Sequence, residues 1–131
     1  MSSKPTQTSI LIVEDEVVLR DAYKIVLNSN DYKVLTASNG LEAMKVIKNY
    51  KVDIMLLDVF MPIMDGITFL KNLDKKQYLD MKIIACTNLS DANTKNEVIQ
   101  LGADKYVMKS DLNPDDLVEL IKSVEKDLLN N

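Results

Sequence analysis

Four apolar runs in this chain end in a polar residue, at places where a side chain can do chemistry rather than fill a core. The most telling is Asp58, which closes Ile54-Met55-Leu56-Leu57. An aliphatic run without polar alternation reads as a strand buried on both faces of a parallel sheet. The carboxyl ends of such strands are where open α/β sheets hold ligands. Asp58 alone could be no more than the start of the turn through Pro62 and Asp65-Gly66. A second acidic group weighs against that: Glu14-Asp15-Glu16 directly follows Ser9-Ile10-Leu11-Ile12-Val13. Parallel strands bring these ends to one crevice, so Glu14 or Asp15 is expected near Asp58, while one of the three acids caps the helix that starts near Val17. Clustered carboxylates repel, and burial raises the cost of their charge. They persist beside a cation or shared protons, and hard oxygen ligands suit Mg²⁺. Thr87 after Lys82-Ile83-Ile84-Ala85-Cys86, and Lys109 after Tyr106-Val107-Met108, add a hydroxyl and an ammonium group. A carboxylate in that company is capable of acting as a nucleophile.

The elements that must position these groups alternate along the chain as five apolar strands and five helical stretches, the pattern of a doubly wound α/β domain. The first helix spans Val17 to Asn28 with Val18, Ala22, Ile25 and Val26 expected on its inward face. A strand follows from Lys33 to Ala37, and Asn39-Gly40 opens a second helix that buries Ala43, Met44 and Ile47. The third helix starts at Gly66 and buries Ile67, Leu70 and Leu73. The fourth, Asp91 to Leu101, has an apolar face interrupted by Lys95, Asn96 and Glu97. The last starts at Pro114, a residue suited to a first helical turn, and carries Leu117, Ile121, Val124 and Leu128.

Composition narrows the function classes. A length of 131 residues, 47% of them hydrophobic and 27% charged, supports one folded domain with a real core. A net charge of −4 and a pI near 4.8 leave no basic stripe for nucleic acid. The chain has no histidine, which excludes histidine-based acid–base catalysis and His-rich zinc sites. The single cysteine, Cys86, lies inside an apolar strand and reads as a buried small hydrophobe. No stretch approaches a membrane-spanning length, and residues 1–5 hold no apolar signal core, so a cytoplasmic protein without membrane contact is expected.

Taken together, Glu14-Asp15 after the first strand, Asp58 with Met61-Pro62-x-x-Asp65-Gly66 after the third, Thr87 after the fourth and Tyr106-x-x-Lys109 around the fifth resemble the receiver domain of two-component response regulators, the CheY-like family. The resemblance implies a flavodoxin-like sheet of strand order 2-1-3-4-5. It also implies a short tail over residues 1–8 and a receiver domain over 9–129, with no output domain in this chain. By the same resemblance Asp58 is the phosphoacceptor. Mg²⁺, with Mn²⁺ able to substitute, is held by Asp15, Asp58, Glu14 and the Phe60 backbone carbonyl. Lys109 and Thr87 bind phosphoryl oxygens, and Thr87 with Tyr106 forms the switch that changes the face of helix four, strand five and helix five. The implied phosphodonor is a phosphohistidine on a sensor histidine kinase or a histidine phosphotransfer protein. The implied receiver of the signal is a downstream protein, or a second copy in a phosphorylation-dependent dimer.

Three features depart from or vary within that pattern. Ser110 stands where the family usually has a proline after the lysine, often with a cis peptide, a form that costs a non-proline bond about 3–4 kcal/mol. Asn88 stands where a small residue is usual. Phe60 and Leu89, two residues beyond Asp58 and Thr87, are bulky groups at positions that govern water access, which predicts slow hydrolysis of the phosphoryl group. Other classes fit less well. A haloacid-dehalogenase-type phosphatase needs an acid two residues after the nucleophile, where this chain has Phe60. A flavodoxin cradles phosphate in a first loop that here is Glu14-Asp15-Glu16 and would repel it. A receiver excised from a larger regulator or hybrid kinase, and a phosphorylation-independent pseudo-receiver, remain open readings of the sequence.

Overall fold

A computed structural model of the chain describes residues 7–88 and 91–129. Five parallel strands, β1 (Ser9–Val13), β2 (Lys33–Ala37), β3 (Ile54–Asp58), β4 (Lys82–Thr87) and β5 (Lys105–Met108), form one sheet in the order β2-β1-β3-β4-β5. This is the expected order. The helices are α1 (Val17–Ser29), α2 (Gly40–Asn49), α3 (Gly66–Asn72), α4 (Ala92–Gln100) and α5 (Pro114–Leu129). Two short 3₁₀ turns, Lys75–Tyr78 and Lys109–Asp111, complete the chain path. Among the described residues no helix is long and apolar enough to cross a membrane.

β1 and β3 are buried along their whole length, and β4 all but at its first residue. Their side chains point alternately to two apolar layers. One holds Leu11, Val13, Met55, Leu57, Ile83 and Ala85 beneath α2, α3 and α4. The other holds Ile10, Ile12, Leu56, Ile84 and Cys86 beneath α1 and α5. Covering both faces of a parallel sheet is what makes its strands continuously apolar.

The inward face of α1 differs from the expected one. Tyr23 and Leu27 are buried, while Val18 is 84% and Ile25 67% exposed. Tyr23 takes the interior position because its hydroxyl donates to the Leu112 carbonyl oxygen at 2.9 Å, so its polar tip is satisfied there. Α3 shows a smaller difference: Leu70 and Leu73 are buried as expected, but Phe69 is the fully buried side chain of that helix, and Ile67 is only partly covered. In α2 and α5, Ala43, Ile47, Leu117, Ile121 and Val124 face the core as expected.

The helix starts are set by local hydrogen bonds. Asn39, Asp65 and Asp91 each accept a backbone N–H from the first turn of α2, α3 and α4. The acidic cap expected at α1 is absent: Glu16 occupies the cap position, but its side chain makes no capping bond. Instead the Glu16 N–H donates to the Glu14 carboxylate at 3.1 Å, which orients Glu14 rather than the helix.

Candidate functional site

The register of the sheet decides which polar residues meet. Val13 pairs with Leu57 across β1 and β3, so Glu14 and Asp58 leave the sheet side by side. Asp58 pairs with Cys86 across β3 and β4, placing Thr87 one step beyond it. Thr87 pairs with Met108 across β4 and β5, and Lys109 follows. All four sequence-predicted groups therefore rise at one end of the sheet.

Lys109 is the hub. Its Nζ lies 2.7 Å from Glu14 Oε1 and 2.8 Å from Asp58 Oδ2, with both carboxylates buried and the lysine side chain 9% exposed. Asp58 is 2% exposed, and its other oxygen, Oδ1, accepts the Phe60 N–H at 3.3 Å. Burial and the neighbouring Glu14 charge push the Asp58 carboxyl up from 3.8 to about 7, against the opposing pull of Lys109. The same pairing works the other way on the lysine. Burial disfavours its charge, but the hydrogen bonds and charges of Asp58 and Glu14 outweigh that and raise it above the ordinary lysine range.

Glu14, Asp15 and Asp58 each offer an oxygen within 4.8 Å of the others. Three carboxylates beside one ammonium leave an excess of two negative charges when all are ionised. A set of hard oxygen donors with that excess fits a divalent cation such as Mg²⁺. Asp15 is the most accessible of the three, the position expected of a ligand reached from solvent.

The loop after β3 is held over the site by close packing. Gly66 N–H donates to the Val59 carbonyl at 2.9 Å, and a Cβ on Gly66 would stand 2.6 Å from the Asp58 carbonyl oxygen. Only glycine allows α3 to start against the strand that carries Asp58. Gly40 likewise donates to the Met64 carbonyl at 2.8 Å, tying α2 to the same loop. Between these anchors Ile63 has φ of +70° and is 80% exposed. A β-branched residue in that region is strained, and its exposed side chain gains little from the fold.

Thr87 is buried beside the cluster, and Cys86 behind it is fully buried, with burial raising its thiol well above the usual range. Tyr106 is half-buried and lies against Asp91, the residue that caps α4. Burial and the Asp91 charge raise its phenol, and a hydrogen bond to the Asp91 backbone opposes them. Phe60 is 45% exposed at the mouth of the site. Leu89 lies outside the described residues. Asn88 is exposed, so its size meets no steric limit there. No described peptide bond is cis, and Lys109–Asp111 forms a 3₁₀ turn that leads into α5. The loop after Lys109 thus differs from the cis-proline form.

Sequence reasoning did not single out two supporting residues. Arg20 donates from Nη1 to the Glu14 carbonyl at 3.0 Å, fixing the backbone of the acidic pair. Tyr23 lies buried beneath the cluster, where burial lifts its phenol to about 12. Its spacing from Leu27 was the available signal, since residues four apart share a helix face.

Comparison with known proteins agrees with this geometry. The model of the response regulator receiver domain matches residues 10–122. A probable transcriptional regulator, ycf27, of Cyanidium caldarium is 37% identical over 118 residues, covering 90% of this chain and 46% of that protein. Response regulator RR06 of Streptococcus pneumoniae is 31% identical over 117 residues, covering 89% of this chain and 51% of that protein. The chain thus spans about half the length of the curated relatives it matches. Among solved structures, a CheY-like receiver domain protein from Methanospirillum hungatei superposes with a TM-score of 0.88 at 30% identity, covering 95% of this chain and 98% of that one. Chemotaxis response regulator CheY4 of Vibrio cholerae gives 0.83 at 29% identity, covering 91% and 99%.

Proposed function

The chain belongs to the response regulator receiver domain family, and from that premise we propose that it accepts a phosphoryl group on Asp58 from a phosphohistidine of a sensor histidine kinase or histidine phosphotransfer protein. The proposed unit spans residues 9–129, works in the cytoplasm, and passes its state to a downstream protein through α4, β5 and α5. The observation that carries this reading is the Lys109 ammonium between two buried strand-end carboxylates, Glu14 and Asp58.

The chemistry follows from the charges. An Asp58 oxygen attacks phosphorus. The new O–P bond forms as the P–N bond to the donor imidazole breaks, and the bonding pair leaves with nitrogen. Asp58 must be ionised to do this, yet its burial and Glu14 favour the protonated form. Lys109 counters them and can follow the charge onto a phosphoryl oxygen. The Thr87 hydroxyl donates to another oxygen, and Phe60 N–H keeps the carboxylate oriented. Asp15, Asp58 and the Phe60 carbonyl, with Glu14 beside them, would hold Mg²⁺, and the bound ion would supply positive charge that lowers the repulsion between nucleophile and phosphoryl oxygens. Positioning and electrostatics are sufficient for phosphoryl transfer. The product adds about −1.5 to −2 charges. Thr87 moves toward them, and Tyr106 turns in response, changing the outer surface of β5.

Intact-mass measurement after incubation with Mg²⁺ and acetyl phosphate tests the reading. A single phosphate-sized gain is expected, lost in Asp58→Asn and in excess EDTA. No gain with either acetyl phosphate or phosphoramidate, or a gain that survives Asp58→Asn, would overturn it.

A further inference from the structure

Of the sixteen lysine and arginine residues in this chain, only Arg20 is arginine. It stands half-buried near the start of α1, and among the described residues it is in no salt bridge. Its side chain instead makes the hydrogen bond from Nη1 to the Glu14 carbonyl oxygen at 3.0 Å. A planar guanidinium fixes direction as well as distance, which an ammonium on a flexible stem does not. The bonded carbonyl belongs to the peptide that joins Glu14 to Asp15, and that peptide is planar. On its other side Glu14 is tied by its N–H, which donates to the Ala37 carbonyl at 3.0 Å. With both groups held, the direction in which the chain enters Asp15 is set.

That matters more for Asp15 than for the other two acids. Glu14 is anchored by Lys109 and the Glu16 N–H, and Asp58 by Lys109 and the Phe60 N–H. The Asp15 side chain makes no hydrogen bond or ion pair with a described residue. Yet it offers an oxygen within 4.8 Å of both other carboxylates. Its place in the cluster therefore depends on its backbone. We propose that Arg20 is a positioning residue of the divalent-cation site: by holding the Glu14–Asp15 peptide, it presets Asp15 against Glu14 and Asp58. The proposal rests on the cation half of the function proposed above and not on phosphoryl transfer. The sign of the effect separates this role from plain electrostatics. A cation beside the cluster repels Mg²⁺, so loss of the Arg20 charge alone would tighten binding. Loss of a bond that orients a ligand weakens it, by about tenfold or more for outer partners of metal sites.

Calorimetric titration of the full chain with Mg²⁺ compares wild type, Arg20→Met, Arg20→Lys and Lys24→Met. Methionine keeps an apolar stem and loses the donors and the charge. Arg20→Met is expected to bind Mg²⁺ about tenfold more weakly than wild type, and Arg20→Lys to recover part of that loss. Lys24→Met removes an exposed charge one turn further along α1 and should bind no more weakly than wild type. In metal-free amide spectra of Arg20→Met, the Asp15 and Glu16 signals should move while those of β3 stay in place. Binding to Arg20→Met as tight as to wild type, or tighter, would overturn the proposal. So would a folded Arg20→Lys that binds no better than Arg20→Met, or a wild type that binds no Mg²⁺. Should Arg20→Met not fold, Arg20→Lys decides: weaker binding than wild type supports the positioning role, and equal binding overturns it. Phosphoryl uptake from acetyl phosphate is read by mass on the same samples. No uptake by wild type, with Mg²⁺ binding weakened in Arg20→Met, sinks the phosphoacceptor reading and leaves the positioning role standing. Uptake by wild type, with Mg²⁺ binding unchanged in Arg20→Met, sinks the positioning role alone.

Discussion

β3 and β5 carry the two halves of the site, and they are built differently. Every residue of β3 is buried, with β1 and β4 paired on either side. Every residue of β5 is only half-buried, and the strand pairs with β4 alone. Asp58 is thus anchored in the most tightly packed part of the sheet, while Tyr106 and Lys109 come from its margin. Marginal elements open at lower free-energy cost than core strands. The contrast teaches where a signal can move: the group that would take the phosphoryl stays fixed, and the strand that supplies its counter-ion can shift.

The contrast can be broken most severely at Lys109. Lys109→Ala leaves Glu14 and Asp58 as buried carboxylates without their cation, and removing one partner of such a group costs about 3 kcal/mol. Urea unfolding in EDTA at pH 8 should show that loss, with part of it recovered on adding Mg²⁺. A variant as stable as the wild type would mean that the marginal strand contributes nothing to holding the acids together.

The next effect concerns pH. The Asp58 carboxyl titrates near 7 in the fold against 3.8 as a free side chain, so between those values the folded state holds a proton that the unfolded chain has lost. Its contribution to stability therefore falls as pH rises from about 4 to about 7 and levels off above. In metal-free protein, the stability of Asp58→Asn relative to wild type should rise across this window. A flat difference would show that Lys109 fully offsets burial and Glu14.

A matched pair of truncations sharpens the comparison itself. Val13, fully buried on β1, and Val107, half-buried on β5, are the same residue in the two regions. Val13→Ala should cost about 2 kcal/mol and Val107→Ala less than about 1. Similar losses would mean that the margin is packed as firmly as the centre.

The smallest effect lies in the loop between the regions. Ile63→Gly should stabilise the protein by about 1 kcal/mol, since glycine relieves the positive φ and the exposed side chain forfeits few contacts. A loss of stability on thermal melting would show instead that Ile63 packs in a way its exposure does not reveal.

Much of this was readable before any coordinates. Non-alternating runs such as Ile54–Leu57 can be accommodated only where both faces are covered, so burial and the parallel sheet followed from residue type alone. The end of each run then marked Asp58, Thr87 and Lys109, and the acids after Val13. Asn39-Gly40, Gly66 and Asp91 marked the starts of three helices to within one residue, while the capping bonds of Asp65 and Asp91 came only from the structure. The face of α1 was not readable, since Val18 and Ile25 offered a second apolar stripe and a tyrosine can be core when its hydroxyl finds a carbonyl.

What the sequence determined by itself was the set of chemical groups and the strand ends on which they sit, because these depend on local pattern. What only the tertiary structure decided was their pairing: Lys109 shared between Glu14 and Asp58, Glu14 bonded to the Glu16 backbone instead of Glu16 capping α1, and Tyr106 set against Asp91. Those contacts join residues brought together by strand register and loop path, and no local pattern encodes a distance of 2.7 Å between residues on opposite sides of the central strand.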